Sequence, residues 1–273
     1  MLTPQLRIVP LESIKPHEIA DNVREQRIER RLIADGELRD PLLVGAVPAV
    51  EGFVLLDGTN RLNALKNLRI PLAMVQVVDY ADEHAVQLRT WSHQGHVPYA
   101  EIIAGAGAIP GVEAVPIPAL GVDDVLRRPQ TLAVVLDHRN QSALIRDEDA
   151  PSRADQLQPL VDLYESTMVR VDMNPESVEE EAQNLRNESG PVTLVAFPPF
   201  SRSQVVTMAT RRRLIPAGIT RHIILCGRAL RVDLPLEVLR ESPDAATAER
   251  LLREHVSRLQ PRLYQEPTIL FDS

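Results

Sequence analysis

One stretch near the N-terminus changes abruptly from strand-like to helix-like, and no other feature constrains the fold as much. Four apolar residues, Phe53 to Leu56, predict a short buried strand that breaks at Asp57. Leu62, Leu65 and Leu68 then recur at the spacing of one helix face. The pattern therefore predicts a strand, a tight turn and a helix, and the turn carries Asp57, Gly58, Thr59, Asn60 and Arg61.

The residues of this turn suit a phosphate group. A helix start offers free backbone N–H groups and the positive end of the helix dipole. Gly58 lets the backbone approach a ligand closely, and Arg61 adds a fork of donors shaped for phosphate. A purely structural interpretation stays open beside this one, in which Thr59 or Asn60 caps the helix and Asp57 closes the turn.

Charge and cysteine usage narrow the class of protein. The chain has 273 residues and a net charge of −8, which argues against a dedicated nucleic-acid binder with a basic face. The single cysteine, Cys226, excludes an internal disulfide, and its apolar neighbours predict a buried strand position. No apolar run is long enough to span a membrane and the start lacks a signal-peptide core, so we expect a cytoplasmic protein.

Hydrophobic periodicity divides the chain into two units. In residues 1–90 it predicts strands at 6–10, 41–45, 53–56 and 73–78, with helices at 24–33, 62–68 and 82–90. A stretch rich in Gly, Pro and Ala at 105–121 indicates a long loop or domain junction. Beyond it the pattern predicts an alternating α+β or α/β unit, with strands at 131–136, 142–145, 192–197 and 268–271, a long strand or hairpin at 221–232, and helices at 154–167, 175–187, 201–211 and 245–258.

Three further groups of polar residues could take part in chemistry. Glu18 follows His17 in a proline-containing loop, where it could act as a general base or be an ordinary exposed acid. Trp91 and His93 lie together and could equally be packing residues. Thr220, Arg221 and His222 open a strand after a Pro-Ala-Gly turn, and Arg221 could pair bidentately with a carboxylate or lie exposed at the strand start.

The order of these motifs resembles known proteins. The first ninety residues resemble the ParB/sulfiredoxin superfamily in Ile8 to Ile14, Pro41 to Val44 and Leu56 to Arg61. Pro-His-Glu, Asp-Gly-x-x-Arg, Trp-x-His and Pro-Ala-Gly-Ile-Thr-Arg together resemble the free L-serine kinases of the SbnI type, which make O-phospho-L-serine. The resemblance implies a ParB/sulfiredoxin-like domain at 1–90 that binds nucleotide phosphates, and a second α/β domain at 91–273 that contributes the amino-acid pocket.

The resemblance also implies roles for individual residues. Glu18 and Asp57 would be the catalytic carboxylates, and Asp57 would lie near the transferred phosphoryl group and a Mg²⁺ ion. The donor would be ATP or ADP. Gly58, Thr59, Asn60 and Arg61 would hold the nucleotide phosphates, whereas Trp91, His93, Thr220, Arg221 and His222 would line the pocket for free serine.

Four points stay open. Family members usually carry His where this chain has Asn60, and Asn can donate a hydrogen bond but cannot carry a proton. The alternatives from other classes are a ParB-like DNA-binding regulator and a catalytically silent metabolite sensor. The DNA-binding alternative has the net charge of −8 against it, together with the lack of a clear helix-turn-helix with a basic recognition helix. The residues do not choose between ATP and ADP, or exclude homoserine or threonine as the acceptor.

Overall fold

The computed structural model describes residues 4–48, 50–118, 121–146, 153–172, 178, 180 and 192–262. The strands in these ranges are β1 Gln5–Pro10, β2 Ile14–Lys15, β3 Glu37–Leu38, β4 Leu42–Ala46, β5 Phe53–Asp57, β6 Leu72–Asp79, β7 Val86–Thr90, β8 Ser92–Gly95, β9 Val112–Pro116, β10 Thr131–Leu136, β11 Gln141–Arg146, β12 Met168–Val171, β13 Thr193–Ala196, β14 Thr220–Ile224 and β15 Leu234–Pro235. The helices are α1 Asn22–Asp35, α2 Thr59–Asn67, α3 Tyr99–Ala106, α4 Val122–Leu126, α5 Arg153–Asp162, α6 Arg202–Arg211, α7 Leu236–Glu241 and α8 Ala245–Val256.

A five-stranded mixed sheet carries the turn identified from the sequence. Its strand order is β1-β6-β4-β5-β2, with β4 antiparallel to β5 and parallel to β6. One face packs on α2 and on the C-terminal helices α7 and α8, in a core that includes Leu62, Leu65, Leu239 and Leu252. This core holds β5 and α2 in place, and with them the turn between the two elements.

A six-stranded sheet forms the second layer, in the order β12-β8-β13-β10-β11-β9. Its core includes Leu132, Leu157 and Val195, and it continues into Leu43 and Leu56 from the first sheet. A separate antiparallel pair, β14 with β7, matches Thr220 to Thr90 and Arg221 to Arg89. The pair brings the C-terminal part of the chain back to the N-terminal sheet.

Most of the predicted elements are confirmed. The hairpin of β4 and β5, the helix after Gly58 and the hairpin of β10 and β11 all form as the periodicity indicated. Helix α1 ends at Gly36, whose φ of 68° is the left-handed conformation that favours glycine at a helix end. Helix α6 begins with Ser201 in a capping box with Gln204. These features depend on neighbours in sequence, which is why the pattern shows them.

Three local predictions are wrong. Residues 82–90 are not a helix, because 86–90 form β7 and pair with β14. The stretch at 105–121 is less irregular than expected, since it holds the end of α3 and all of β9. The strand or hairpin expected at 221–232 is a strand only as far as Ile224, so Cys226 lies half-buried in a turn and not in a buried strand.

Two predicted elements, the helix at 175–187 and the strand at 268–271, lie in segments outside the described residues, apart from positions 178 and 180. The division into domains at 1–90 and 91–273 stays a prediction. The model itself shows a mixed helix-and-sheet fold in which both the N-terminal sheet and the C-terminal helices α7 and α8 contribute to one core.

Candidate active site

The turn after β5 leads directly into α2. Gly58 is the N-cap of α2 with a φ of 109°, and no side chain hydrogen-bonds to the helix start. The interpretation in which Thr59 or Asn60 caps the helix is therefore wrong. The positive φ of Gly58 is a backbone conformation that favours glycine, and a Cβ there would lie 3.0 Å from the guanidinium of Arg61, which would have to shift slightly. The free N–H groups form a natural anion-binding position.

Two arginines converge on Asp57. Nη2 of Arg61 donates to Oδ2 at 2.7 Å, and Arg228, which follows β14, makes an ion pair with the same oxygen. Desolvation opposes ionisation of Asp57, but Arg228 and then Arg61 outweigh it and hold the pKa of the carboxyl below its usual value. Two cations against one carboxylate leave a net positive charge beside the helix start, which suits a phosphate.

Asn60 joins the turn to helix α1. Its Oδ1 accepts the backbone N–H of Asp21 at 2.9 Å, and Asp21 is the N-cap of α1. The amide group therefore has a structural contact on its oxygen, which leaves its nitrogen as the group able to donate to a phosphate. Thr59 is the first residue of α2 and is partly exposed at the same helix start.

Glu18 is held in a pocket of donors built from the Pro-Ala-Gly segment. The backbone around it pairs with Ile215 in a short parallel bridge. Its Oε1 accepts the hydroxyl of Thr220 at 2.5 Å and the backbone N–H of Thr220 at 3.1 Å, while Oε2 accepts the N–H of Gly218 at 3.4 Å. With 15% of its side chain exposed, Glu18 is not the ordinary exposed acid of the alternative interpretation.

His17 ties Glu18 to the strand that carries Asp57. Its Nδ1 donates to the carbonyl of Leu55 in β5 at 2.8 Å, and its Nε2 lies 2.7 Å from the hydroxyl of Thr220. The ring is 2% exposed. The contacts place the Glu18 loop, strand β5 and strand β14 around one region.

Arg221 lies on β14 above the indole of Trp91. Its guanidinium carbon is 4.3 Å from the ring centroid, and the side chain also makes an ion pair with Asp172. Partial desolvation and the nearby Arg89 lower its pKa, yet arginine stays charged in proteins. With 27% of its side chain exposed, Arg221 has a partly accessible guanidinium, a group that can pair bidentately with a carboxylate.

The two histidines predicted to line the pocket are both neutral and engaged. Burial and then His17 lower the pKa of His222 to about 3, and its Nε2 contacts the Tyr80 hydroxyl at 2.9 Å. Burial lowers the pKa of His93 to about 4. His93 uses Nε2 to donate to the carbonyl of Gly218 at 2.9 Å and Nδ1 to contact the Tyr164 hydroxyl at 3.2 Å. His93 therefore fixes the Pro-Ala-Gly turn through the carbonyl of Gly218.

The structure brings the predicted residues into two neighbouring groups. The first group, which suits phosphate binding, contains Asp57, Gly58, Thr59, Asn60 and Arg61. The other contains Glu18, Trp91, His93, Thr220, Arg221 and His222. Sequence reasoning missed the partners that complete these groups: Arg228 on Asp57 and Asp172 on Arg221. Arg228 had a signal, because it lies in the Gly-Arg-Ala-Leu segment that carries part of the resemblance, whereas nothing in the sequence singled out Asp172.

The described ranges contain neither a metal site nor a membrane span of the usual kinds. No three His, Cys, Asp or Glu side chains there gather as a metal site. No helix in those ranges has the length and apolar character needed to cross a bilayer.

Comparison with known proteins identifies the fold. No family model matches the chain. The ATP-dependent L-serine kinase SbnI of Staphylococcus aureus (strain NCTC 8325 / PS 47) is 23% identical over 247 residues, which are 88% of this chain and 85% of the relative. The ATP-dependent L-serine kinase of Staphylothermus marinus (strain ATCC 43588 / DSM 3639 / JCM 9404 / F1) is 26% identical over 84 residues, 31% of this chain and 33% of the relative.

The solved structures agree with these relatives. The structure of SbnI from Staphylococcus aureus with a C-terminal truncation superposes with a TM-score of 0.70 at 20% identity, over 92% of this chain and 95% of that one. A free serine kinase in complex with AMP gives 0.72 at 16% identity, over 87% and 95%. A point variant in complex with ADP gives 0.70 at 16% identity, over 86% and 93%. This chain has the fold of the free serine kinases. Its likeness to ParB in residues 1–90 stays a prediction.

Proposed function

We propose that this protein is a kinase that transfers a phosphoryl group from ATP or ADP to the hydroxyl of free L-serine. One observation carries the proposal. The carboxylate of Glu18 is fixed by Thr220, and its neighbour His17 binds strand β5, which leads into the turn where Arg228 and Asp57 pair at the start of a helix. A relative that aligns with most of this chain is named an L-serine kinase, and neighbours of the same fold are free serine kinases in complex with AMP and ADP.

The phosphates of the nucleotide would bind at the turn after β5. The N–H groups at the start of α2, the fork of Arg61 and the guanidinium of Arg228 supply donors and positive charge there. Phosphoryl transfer needs little more from a protein than positioning and neutralisation of charge. The carboxylate of Asp57 keeps both arginines in place before the nucleotide arrives.

Serine would bind beside β14. Arg221 would pair with its carboxylate in place of Asp172, while Trp91 supports the guanidinium from below. Glu18 would accept the proton of the serine hydroxyl as that oxygen forms a bond to the terminal phosphorus. The bond from that phosphorus to the leaving nucleotide breaks in the same transfer, which yields O-phospho-L-serine.

Mg²⁺ fits this donor set. Magnesium usually takes one or two carboxylates together with substrate phosphates. Both arginine contacts use Oδ2 of Asp57, and Oδ1 accepts no hydrogen bond from the described residues. Asp57 would hold the ion together with nucleotide oxygens, and the ion would neutralise charge on the transferred group. We further propose a cytoplasmic location, because the single cysteine leaves the chain without an internal disulfide.

The test is to incubate the protein with serine and Mg²⁺, adding ATP or ADP in separate reactions, and to detect phosphoserine by ³¹P NMR. ADP as product identifies ATP as the donor, and AMP as product identifies ADP. The matched variants are Glu18→Gln, which should lose activity, and Glu51→Gln on an exposed loop, which should keep it. A protein that binds nucleotide but forms no phosphoserine with either donor would refute the proposal. Homoserine and threonine, tested in parallel, define the acceptor.

A further inference from the structure

Three polar contacts run in series from a backbone carbonyl to Glu18. Nδ1 of His17 lies 2.8 Å from the carbonyl oxygen of Leu55. Nε2 of His17 lies 2.7 Å from the hydroxyl oxygen of Thr220, which lies 2.5 Å from Oε1 of Glu18. We call His17, Thr220 and Glu18 the hydrogen-bond chain.

Counting protons shows that the hydrogen-bond chain is short of one. The carbonyl of Leu55 can only accept, so the proton of a neutral His17 lies on Nδ1. The Thr220 hydroxyl has a single proton, and an ionised Glu18 has none. Two protons must therefore serve three contacts. If Thr220 donates to Glu18, no proton lies between Thr220 and Nε2 of His17. If Thr220 donates to His17, no proton lies between Thr220 and Oε1 of Glu18.

We propose that His17 is the final acceptor of the proton that Glu18 removes from the serine hydroxyl. The proposal rests on the serine kinase function proposed above and adds a route for the proton. When serine gives up its proton, the hydrogen-bond chain gains the third proton that a neutral His17 and an ionised Glu18 leave missing. Proton removal then becomes more favourable because all three contacts are satisfied at once.

The transfer balances over three proton movements, of which the last two occur together. The O–H bond of serine breaks and an O–H bond forms at Oε1 of Glu18. That proton moves to the oxygen of Thr220 as Thr220 gives its own proton to Nε2 of His17. Glu18 is again a carboxylate, His17 is an imidazolium with both nitrogens protonated, and the serine oxygen has formed its bond to phosphorus.

The surroundings of the hydrogen-bond chain favour internal transfer over exchange with water. His17 is 2% exposed and Thr220 is 7% exposed. Two charged or titratable side chains lie near the hydrogen-bond chain. His222 is edge-on to His17 with ring centroids 5.5 Å apart, and Arg170 interacts electrostatically with Glu18. His222 is neutral, because burial and then His17 lower its pKa to about 3. His222 therefore does not compete for the proton.

The variants that test the route are Thr220→Val, which removes the hydroxyl at constant shape, and His17→Asn, which keeps a donor for Leu55 but removes Nε2. Thr220→Ser is the conservative control. We expect Thr220→Val and His17→Asn each to lower kcat by about 10- to 100-fold, less than the roughly 10²- to 10⁴-fold effect of a general base. KM for serine and nucleotide should stay within about 3-fold, and Thr220→Ser should restore most of kcat.

The double variant distinguishes a shared route from two structural effects. If both residues serve one proton path, Thr220→Val combined with His17→Asn should be no slower than either single variant. Multiplied losses would overturn the proposal, as would full activity in either single variant. Unchanged melting temperature and nucleotide affinity would show that the variants fold. A wild-type protein that makes no phosphoserine would refute the proposed function instead, so the two failures are distinguishable.

A spectroscopic measurement tests the starting state without turnover. The ¹⁵N signals of the His17 imidazole, assigned by their loss in His17→Asn, should show a proton on Nδ1 and none on Nε2 in the neutral form. A neutral form protonated on Nε2 would contradict the route, because that nitrogen could not accept a proton from Thr220.

Discussion

Replacing Arg221 by lysine tests how the proposed enzyme reads a free amino acid. Lysine keeps the positive charge but loses the planar fork that pairs with a carboxylate, and it loses the flat contact with Trp91 at 4.3 Å. A hydrogen bond to a charged group contributes about 1.5–3 kcal/mol, and an exposed cation–π contact about 0.5–1 kcal/mol. Because 27% of the side chain is exposed, solvent screens part of these contributions.

We therefore expect Arg221→Lys to cost about 1.5–3 kcal/mol in serine binding. At about 1.4 kcal/mol per tenfold, this is a rise of roughly 10- to 150-fold in the KM for serine. The KM for nucleotide should change little, because Arg221 pairs with Asp172 and not with the turn after β5. The assay is phosphoserine formation at varied serine and fixed nucleotide, and then the reverse.

The control is Arg127→Lys, which alters an exposed arginine paired with Asp124 at 3.2 Å in helix α4 and should leave both constants unchanged. Serine amide, which lacks the carboxylate, should be a poor acceptor for the wild-type protein. An unchanged serine KM in Arg221→Lys would refute the reasoning. So would equal rates on serine and serine amide, since the carboxylate would then not be recognised.

Further predictions concern the turn, the base and stability. Arg61→Ala and Arg228→Ala should each weaken nucleotide binding far more than serine binding in calorimetric titrations, and equal losses of both affinities would contradict their placement. Glu18→Gln should lower turnover by about 10²-fold or more while both affinities stay near wild type, and a fully active variant would exclude it as the base. The pKa of His93 falls from an ordinary value near 6.5 to about 4 on folding, so the unfolded chain binds more protons between these pH values. The free energy of unfolding should therefore fall by about 2 kcal/mol per such histidine between pH 7 and pH 5, and His93→Gln should make the slope shallower in denaturant titrations at each pH; an unchanged slope would show that His93 is not neutral in the folded protein.

Local pattern was sufficient for the central element. The run from Phe53 to Arg61 specifies a buried strand, a turn that needs glycine and a helix, because each step depends on residues within a few positions. The same locality explains the hairpin of β10 and β11 and the cap at Ser201. The sequence also predicts that the turn suits phosphate, because Gly58 and Arg61 lie next to the helix start.

Local pattern failed where a distant partner decided the outcome. The prediction of a helix over 82–90 is wrong for 86–90, where Val86 and Leu88 alternate with polar residues and the segment pairs with β14 as β7. Cys226 has the apolar neighbours of a buried strand residue, yet the strand ends two residues earlier. For β7 the deciding contact lies far away in sequence, where periodicity carries no information.

The sequence by itself determined which residue types are present for chemistry and which of them stand at a helix start. Only the tertiary structure decided which of them meet. The Thr220 hydroxyl reaches Glu18 across 202 positions, and Arg228 reaches Asp57 across 171. These long-range contacts result from the pairing of β14 with β7 and from the packing of the C-terminal helices on the first sheet. The physical reason is that strand pairing and core burial join distant segments through the shape and apolar area of whole elements, which no short stretch of sequence specifies.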